Sequence, residues 1–158
     1  MSNENFEKAL SIIEKNISEC DFIGRRPKEL IEKAENVLGL NFSNQYKKFL
    51  STYGALCIGS QEVYGIIRDD FENSSVPDVV WVNRQNRIKF GMPDHLLEIY
   101  HTGSDEVFCF DFKKTNKQGE PPVVVYVPGL DLKYQTYERI AEDFGDFLLY
   151  LLDLEELL

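Results

Sequence analysis

Residues 106–112 have the sequence EVFCFDF, and residues 123–127 have the sequence VVVYV. Both stretches are apolar on both alternations, which is typical of strands that are buried on both faces of a sheet. The stretch from Leu96 to His101 precedes them, and the polar residues 102–105 separate it from the next stretch at the spacing of a β-hairpin. Together these stretches predict a central antiparallel sheet that is covered on each side.

Helical periodicity dominates the residues before this sheet. Residues 6–17 carry apolar side chains at the 4-3-4 spacing of one helix face. A second helix is predicted over 27–39, between a proline that suits the first turn and a glycine that suits the C-terminus. A third helix is predicted over 43–54, where Ser43 is a good N-cap.

Two further elements are predicted between these helices and the sheet. Residues 62–67 have the pattern of a short strand. Pro77 is expected to open a helix, with Val80, Trp81 and Ile88 directed inward.

The chain is expected to close with a helix that begins at about Tyr137. Its apolar stripe consists of Ile140, Phe144, Phe147, Leu148 and Leu151. N-terminal helices, a central antiparallel-rich sheet and a C-terminal helix packed on it predict an α+β fold. We expect one domain over residues 1–158.

The composition is that of an ordinary globular chain. Of the 158 residues, 43% are hydrophobic and 28% are charged. A chain of this length buries roughly two-thirds of its unfolded surface, so its core needs neither disulfides nor metal. The N-terminus lacks a signal-peptide pattern and the apolar runs are too short to cross a membrane, which predicts a cytoplasmic location.

The charge is strongly acidic and unevenly distributed. The formal net charge is -10, and residues 1–53 balance eight acids with eight bases, so the surplus lies in residues 54–158. Such a balance disfavours binding to nucleic acid or to an anionic membrane, because their phosphates would be repelled. Two interpretations remain open: the surplus serves solubility, or it attracts a basic partner.

The residues that usually carry chemistry form no recognisable site. Cys20, Cys57 and Cys109 are odd in number and widely spaced, which predicts free thiols and argues against a structural zinc site. His95 and His101 lack metal-ligand spacing, so we expect no metal and no cofactor. The sequence also lacks the common nucleotide-binding, metalloprotease and serine-hydrolase motifs. A non-enzymatic protein is therefore predicted, with a small hydrolase using paired carboxylates as the remaining catalytic alternative.

Several stretches, taken in order, resemble the SUKH superfamily, also called the Smi/Knr family, and most closely its YobK type. They are residues 34–40, 46–54, 105–111, 119–124 and 140–148, with Gly59 and Gly65 at the expected glycine positions. The resemblance covers about residues 27–152. Phe42 and Ser43 replace the usual Leu-Pro pair, and Asp143 stands where a small residue is common.

The resemblance implies a binding protein rather than an enzyme. Bacterial members look like immunity proteins that neutralise polymorphic toxins, many of which are nucleases. An acidic inhibitor suits the basic, phosphate-holding site of a nuclease-like toxin domain. The family's fungal members look like cell-wall regulators with long disordered arms, so a Smi/Knr-type regulatory module is the alternative.

We expect exposed acids and an exposed aromatic residue near the sheet edge and its loops to contact such a partner. They are Glu62, Tyr64, Asp69, Asp70, Asp105 and Glu106. The loop 68–75 has no evident structural task, which places the Asp69–Asp70 pair nearer the interface centre and the Asp105–Glu106 pair at its rim. Asp111 is better explained as a cap at the end of its strand. We expect the chain to be a monomer or a weak homodimer.

Overall fold

The computed structural model describes residues 2–158 and contains two antiparallel sheets. The first sheet has the order β1-β2-β3 and consists of β1 (Cys20–Phe22), β2 (Leu56–Ile58) and β3 (Gln61–Val63). The second has the order β4-β5-β6-β7 and consists of β4 (Leu96–His101), β5 (Val107–Asp111), β6 (Val123–Tyr126) and β7 (Arg139–Ala141). A hydrogen bond from the Tyr64 amide to the Ile99 carbonyl joins the two sheets at 2.9 Å.

Five α-helices accompany the sheets. They are α1 (Ser2–Lys15), α2 (Lys28–Leu38), α3 (Asn44–Thr52), α4 (Val79–Phe90) and α5 (Phe144–Leu154). The predicted Ser43 cap is confirmed, since its hydroxyl accepts a hydrogen bond from the Tyr46 amide. Gly39 ends α2 in the left-handed conformation, with φ of 68°, as expected for a glycine in this position.

The second sheet lies in the core as predicted. Every residue of β5 and β6 is buried, because helices cover one face and loops cover the other. Phe144 at the start of α5 contacts the rings of Phe6, Tyr46, Phe49 and Phe110. The predicted α+β fold is therefore confirmed, with helices and both sheets contributing to one main hydrophobic cluster.

Three predicted elements differ from the structure. The closing helix does not begin near Tyr137, because 139–141 pair with β6 as strand β7 and Asp143 then caps α5. The strand predicted over 62–67 is shorter, since the chain leaves β3 after Val63. Ile88 does not point inward: its side chain is 74% exposed on the outer face of α4.

None of the helices in residues 2–158 combines the length and apolar character needed to cross a lipid bilayer.

Candidate functional site

A groove beside α4 and β4 combines apolar walls with buried polar groups. Its volume is about 400 Å³. We call it the α4–β4 groove and define it by Tyr64, Trp81, Asn86, Phe90, Glu98 and Asp105. Helix α4, strand β4 and the turn after β4 therefore supply most of its surface.

A pair of hydrogen bonds locks α4 onto β4 at the base of this groove. The Asn83 side chain donates to the Glu98 carbonyl at 3.0 Å and accepts from the Glu98 amide at 2.7 Å. The register of β4 against β5 shifts between Glu98 and Tyr100, and irregularities of this kind re-aim the side chains beside them. Glu98 thus has its main chain held from two sides.

The carboxylate of Glu98 forms the polar floor of the groove. Asn86 Nδ2 donates to Glu98 Oε1 at 2.8 Å, and the Tyr64 side chain is also hydrogen-bonded to this carboxylate. Burial raises the pKa of Glu98, although the bonds from Asn86 and Tyr64 act in the opposite direction. Burial together with the neighbouring carboxylate raises the pKa of Tyr64, so its hydroxyl keeps its proton.

The rim is a mixture of apolar and charged side chains. Phe90 and Val76 are about half exposed, at 47% and 50%, and Trp81 is partly buried. Lys89 and Asp105 are exposed and bring opposite charges to the rim. The groove therefore presents an acid at its floor and aromatic surface at its sides.

Two of the six predicted contact residues, Tyr64 and Asp105, meet in this groove. The expectation that Tyr64 is exposed is wrong, because only 2% of it is accessible. Its carbonyl accepts a hydrogen bond from the Tyr46 hydroxyl at 2.7 Å, which holds the residue against the core. Tyr64 therefore contributes to the floor and not to an exposed contact surface.

Asp69 and Asp70 lie elsewhere, beside Lys33 of α2 and Arg84 of α4. The expectation that their loop has no structural task is wrong. Asp70 Oδ1 accepts from the amides of Glu72 and Asn73, each at 3.2 Å, and the bonds from Asn73 lower the pKa of Asp70. This pair is exposed, but Asp70 also shapes its own loop.

Lys33 fastens the same loop to α2. Its Nζ donates to the Asp69 carbonyl at 2.8 Å and lies 5.1 Å from the centre of the Phe71 ring. Phe71 itself is buried, so the loop is anchored at its centre.

The other two predicted contacts line neither the α4–β4 groove nor the surface around Asp69 and Asp70, although Glu106 adjoins the groove residue Asp105 in the chain. Glu62 is partly buried and borders a small apolar depression with Phe22 and Ile23. Glu106 is exposed in the turn between β4 and β5. The six residues are thus spread over separate surfaces, whereas Asp111 is buried and caps the Lys113 amide at 3.0 Å, as expected for a strand-ending residue.

Sequence reasoning missed the central residue of the groove, Glu98. A signal was present, since Glu98 stands between Leu97 and Ile99 in an apolar strand where an acid is out of pattern. Asn86 and Trp81 could not be assigned to the groove, because their proximity to Glu98 depends on how α4 packs on β4.

Groups suited to covalent or metal chemistry do not converge in the described residues. Within residues 2–158, no three His, Cys, Asp or Glu side chains form a possible metal site. Burial raises the pKa of the Cys109 thiol well above its ordinary value, which leaves it a poor nucleophile.

Comparison with known families matches residues 28–148 to the SUKH_6 family, described as SMI1-KNR4 cell-wall. The chain belongs to the SUKH family. The match runs from the first residue of α2 into α5 and includes every residue that defines the α4–β4 groove. The resemblance to the SUKH superfamily is therefore confirmed, while the YobK type stays a prediction.

This SUKH chain is also similar in fold to a crystal structure of a protein from Pseudomonas syringae pv. tomato. The TM-score is 0.63 at 17% sequence identity, with 87% of this chain and 92% of that chain covered. A search of curated proteins gave no significant match. The structural similarity supports the fold alone.

Proposed function

We propose that this SUKH protein is an immunity protein that neutralises a cognate toxin, with a nuclease-like domain, by stoichiometric occlusion. The observation that carries the proposal is the exposed acidic surplus of residues 54–158, in a family of binding modules. Its exposed acids are Asp69, Asp70, Glu72, Asp94, Asp105, Glu106, Asp131, Glu138, Glu142, Asp153 and Glu156.

A nuclease domain holds phosphates with basic side chains, so an acidic surface is complementary to its active site. Complementary charge accelerates association and selects the partner, while buried apolar contacts supply most of the affinity. An occluding interface of this kind buries about 1,200–2,000 Å² in total. The proposal therefore requires a protein–protein complex and no turnover by the immunity protein.

The decisive experiment uses the toxin-like domain that the proposal requires to be encoded beside this gene. That domain is purified with and without this protein, and nuclease activity is titrated against added protein. We expect activity to fall linearly to an end point at one equivalent, with a complex visible by size-exclusion chromatography. A neighbouring domain that stays active at excess protein, or a chain that itself hydrolyses nucleic acid, would contradict the proposal.

Stopped-flow mixing at two salt concentrations tests the electrostatic part. Asp105→Asn with Glu106→Gln removes charge from the turn after β4, and Asp69→Asn removes charge from the loop anchored by Lys33. Removal of acids at the rim of the interface lowers the association rate, whereas removal of an acid at the interface centre raises the dissociation rate. Association that is independent of salt, with both variants binding like the parent, would leave the acidic surplus as a solubility feature.

The alternative is a Smi/Knr-type regulatory module with a partner other than a toxin. The description of the matched family as SMI1-KNR4 cell-wall is the observation that favours it. The two functions differ in their genetic surroundings: the first requires an adjacent toxin gene, and the second does not.

A further inference from the structure

The buried acids of this protein fall into two groups. Among residues 2–158, the acids exposed by 6% or less are Asp78, Glu98, Asp111, Glu120 and Asp143. Four of these five carboxylates accept hydrogen bonds from main-chain amides at the start of a helix or in a turn. Such bonds favour the ionised form and the helix N-terminus, although burial still raises the pKa of Asp78 and Glu120.

Glu98 is the exception, since its carboxylate is bonded only to the Asn86 and Tyr64 side chains. No lysine or arginine of residues 2–158 forms an ion pair with it, and His101 is a further neighbour that lowers the pKa of Glu98. A carboxylate has about four acceptor positions, and these two bonds use two of them. Glu98 is therefore a buried acid, only 3% exposed, that pairs with no lysine or arginine of residues 2–158, and its oxygens can still accept further hydrogen bonds.

The surroundings of Glu98 indicate which cationic group could pair with its carboxylate. It lines the α4–β4 groove together with the aromatic side chains of Trp81 and Phe90 and the exposed acid Asp105. A guanidinium group is flat, donates several hydrogen bonds in one plane and packs its faces on aromatic rings. An ammonium group shares the charge but not the flat shape.

We propose that the α4–β4 groove is the receptor for an arginine side chain of the protein partner, with Glu98 as the buried counter-charge. The inference rests on the proposed function only in naming the partner as the source of the arginine. Lys89 also borders the groove, but it is exposed and unpaired with Glu98, so its flexible stem can turn toward solvent. The arginine would supply the cation and the hydrogen-bond donors that Glu98 lacks within its own chain.

The probe is N-acetyl-L-argininamide, titrated into ¹⁵N-labelled protein and followed by NMR. We expect saturable shifts at the Trp81 indole and at the amides of Ser104 and Asp105. N-acetyl-L-citrullinamide has nearly the same shape without the charge, and we expect its affinity to be lower by at least about tenfold. N-acetyl-L-lysinamide, charged but not flat, should bind more weakly than the arginine probe.

The matched variants are Glu98→Gln in the groove and Glu138→Gln, an exposed acid away from it. The first should lose at least about tenfold in affinity for the arginine probe, and the second should keep it. Thermal melting of both variants shows whether the fold is retained. Phe90→Ala provides an independent variant at a half-exposed position. It should bind the arginine probe more weakly than the parent does, and it should keep the fold.

Absence of saturable shifts, shifts outside the groove, equal binding of the citrulline or lysine probe, or unchanged binding by Glu98→Gln would each overturn the proposal. These results are separable from the fate of the proposed function. A toxin complex that forms equally well with Glu98→Gln would overturn the arginine contact and leave the immunity function standing. Saturable binding of the arginine probe, together with a neighbouring toxin-like domain that stays active at excess protein, would overturn the immunity function and leave the arginine site standing.

Discussion

Replacement of Phe144 by alanine should be among the most destabilising single changes in this protein. Phe144 is fully buried at the first position of α5, and its ring lies 5.1–6.3 Å from four other aromatic rings, measured between centroids. Phenylalanine-to-alanine changes in cores cost about 3–5 kcal/mol, and aromatic pairs of this kind add to the loss of buried area. We therefore expect a loss near the upper end, at about 4–5 kcal/mol.

Urea unfolding followed by circular dichroism and tryptophan fluorescence gives the measurement. With a denaturant slope of about 2 kcal/mol per molar urea, the midpoint should fall by about 2 M at unchanged slope. Leu154→Ala is the control on the same helix, because Leu154 is 50% exposed, and it should cost less than about 1 kcal/mol. If Phe144→Ala fails to fold, Phe144→Leu should fold with a loss of about 1.5 kcal/mol.

A midpoint for Phe144→Ala close to that of the parent would refute the reasoning. It would mean that α5 is not docked between α1, α3 and the second sheet. Equal losses for Phe144→Ala and Leu154→Ala would also refute it, because burial would then fail to distinguish the two positions.

Three other outcomes follow from the packing and the charges. Thiol titration of denatured, unreduced protein should find all three cysteines free, and in the folded protein the buried Cys109 should react far more slowly than Cys20 and Cys57. Burial raises the pKa of Glu120 from 4.5, so ionisation of Glu120 opposes folding above its folded-state pKa, and this cost disappears as the pH falls below 4.5. The variant Glu120→Gln should therefore gain more stability over the parent at pH 7 than at pH 4.5. Urea unfolding of both proteins at the two pH values measures the difference. A Cβ at Gly145 would lie only 2.6–2.8 Å from atoms of Phe6. The variant Gly145→Ala should therefore lower the melting temperature, measured by calorimetry, by several degrees. An unchanged melting temperature would show that α1 can move away from α5 without cost.

Strands β4, β5 and β6 of the second sheet were predictable because they are long enough, or apolar enough, to carry a pattern. Strands β1 and β2 have three residues each, which is too short for a period to be recognised, whereas β3 was predicted with wrong bounds, over 62–67. Strand β7 was assigned to the closing helix because Ile140 and Ala141 extend the apolar stripe of α5 backwards. The N-capping Asp143 was the local signal that separates the two elements.

The candidate site was only partly accessible from sequence. Exposed turn acids such as Asp105 and Glu106 can be recognised from the polar pattern around them. The α4–β4 groove cannot, because it exists only where residues from 64 to 105 are brought together by the packing of a helix on a strand. Tyr64 was chosen as an exposed aromatic, but tertiary contacts with Tyr46 bury it.

The contact between α1 and α5 joins two segments that lie far apart in the sequence, so it can form only after both have been synthesised. Phe6 packs on Phe144, and the Asn5 side chain donates to Asp146 at 2.6 Å across 141 positions of sequence. A ribosome adding roughly 5–20 residues per second needs about 7 to 28 s to proceed from the codon of Phe6 to the codon of Phe144. During that interval the apolar side of α1 lacks its partner α5, so the nascent chain is most vulnerable to proteases and aggregation until α5 has been synthesised.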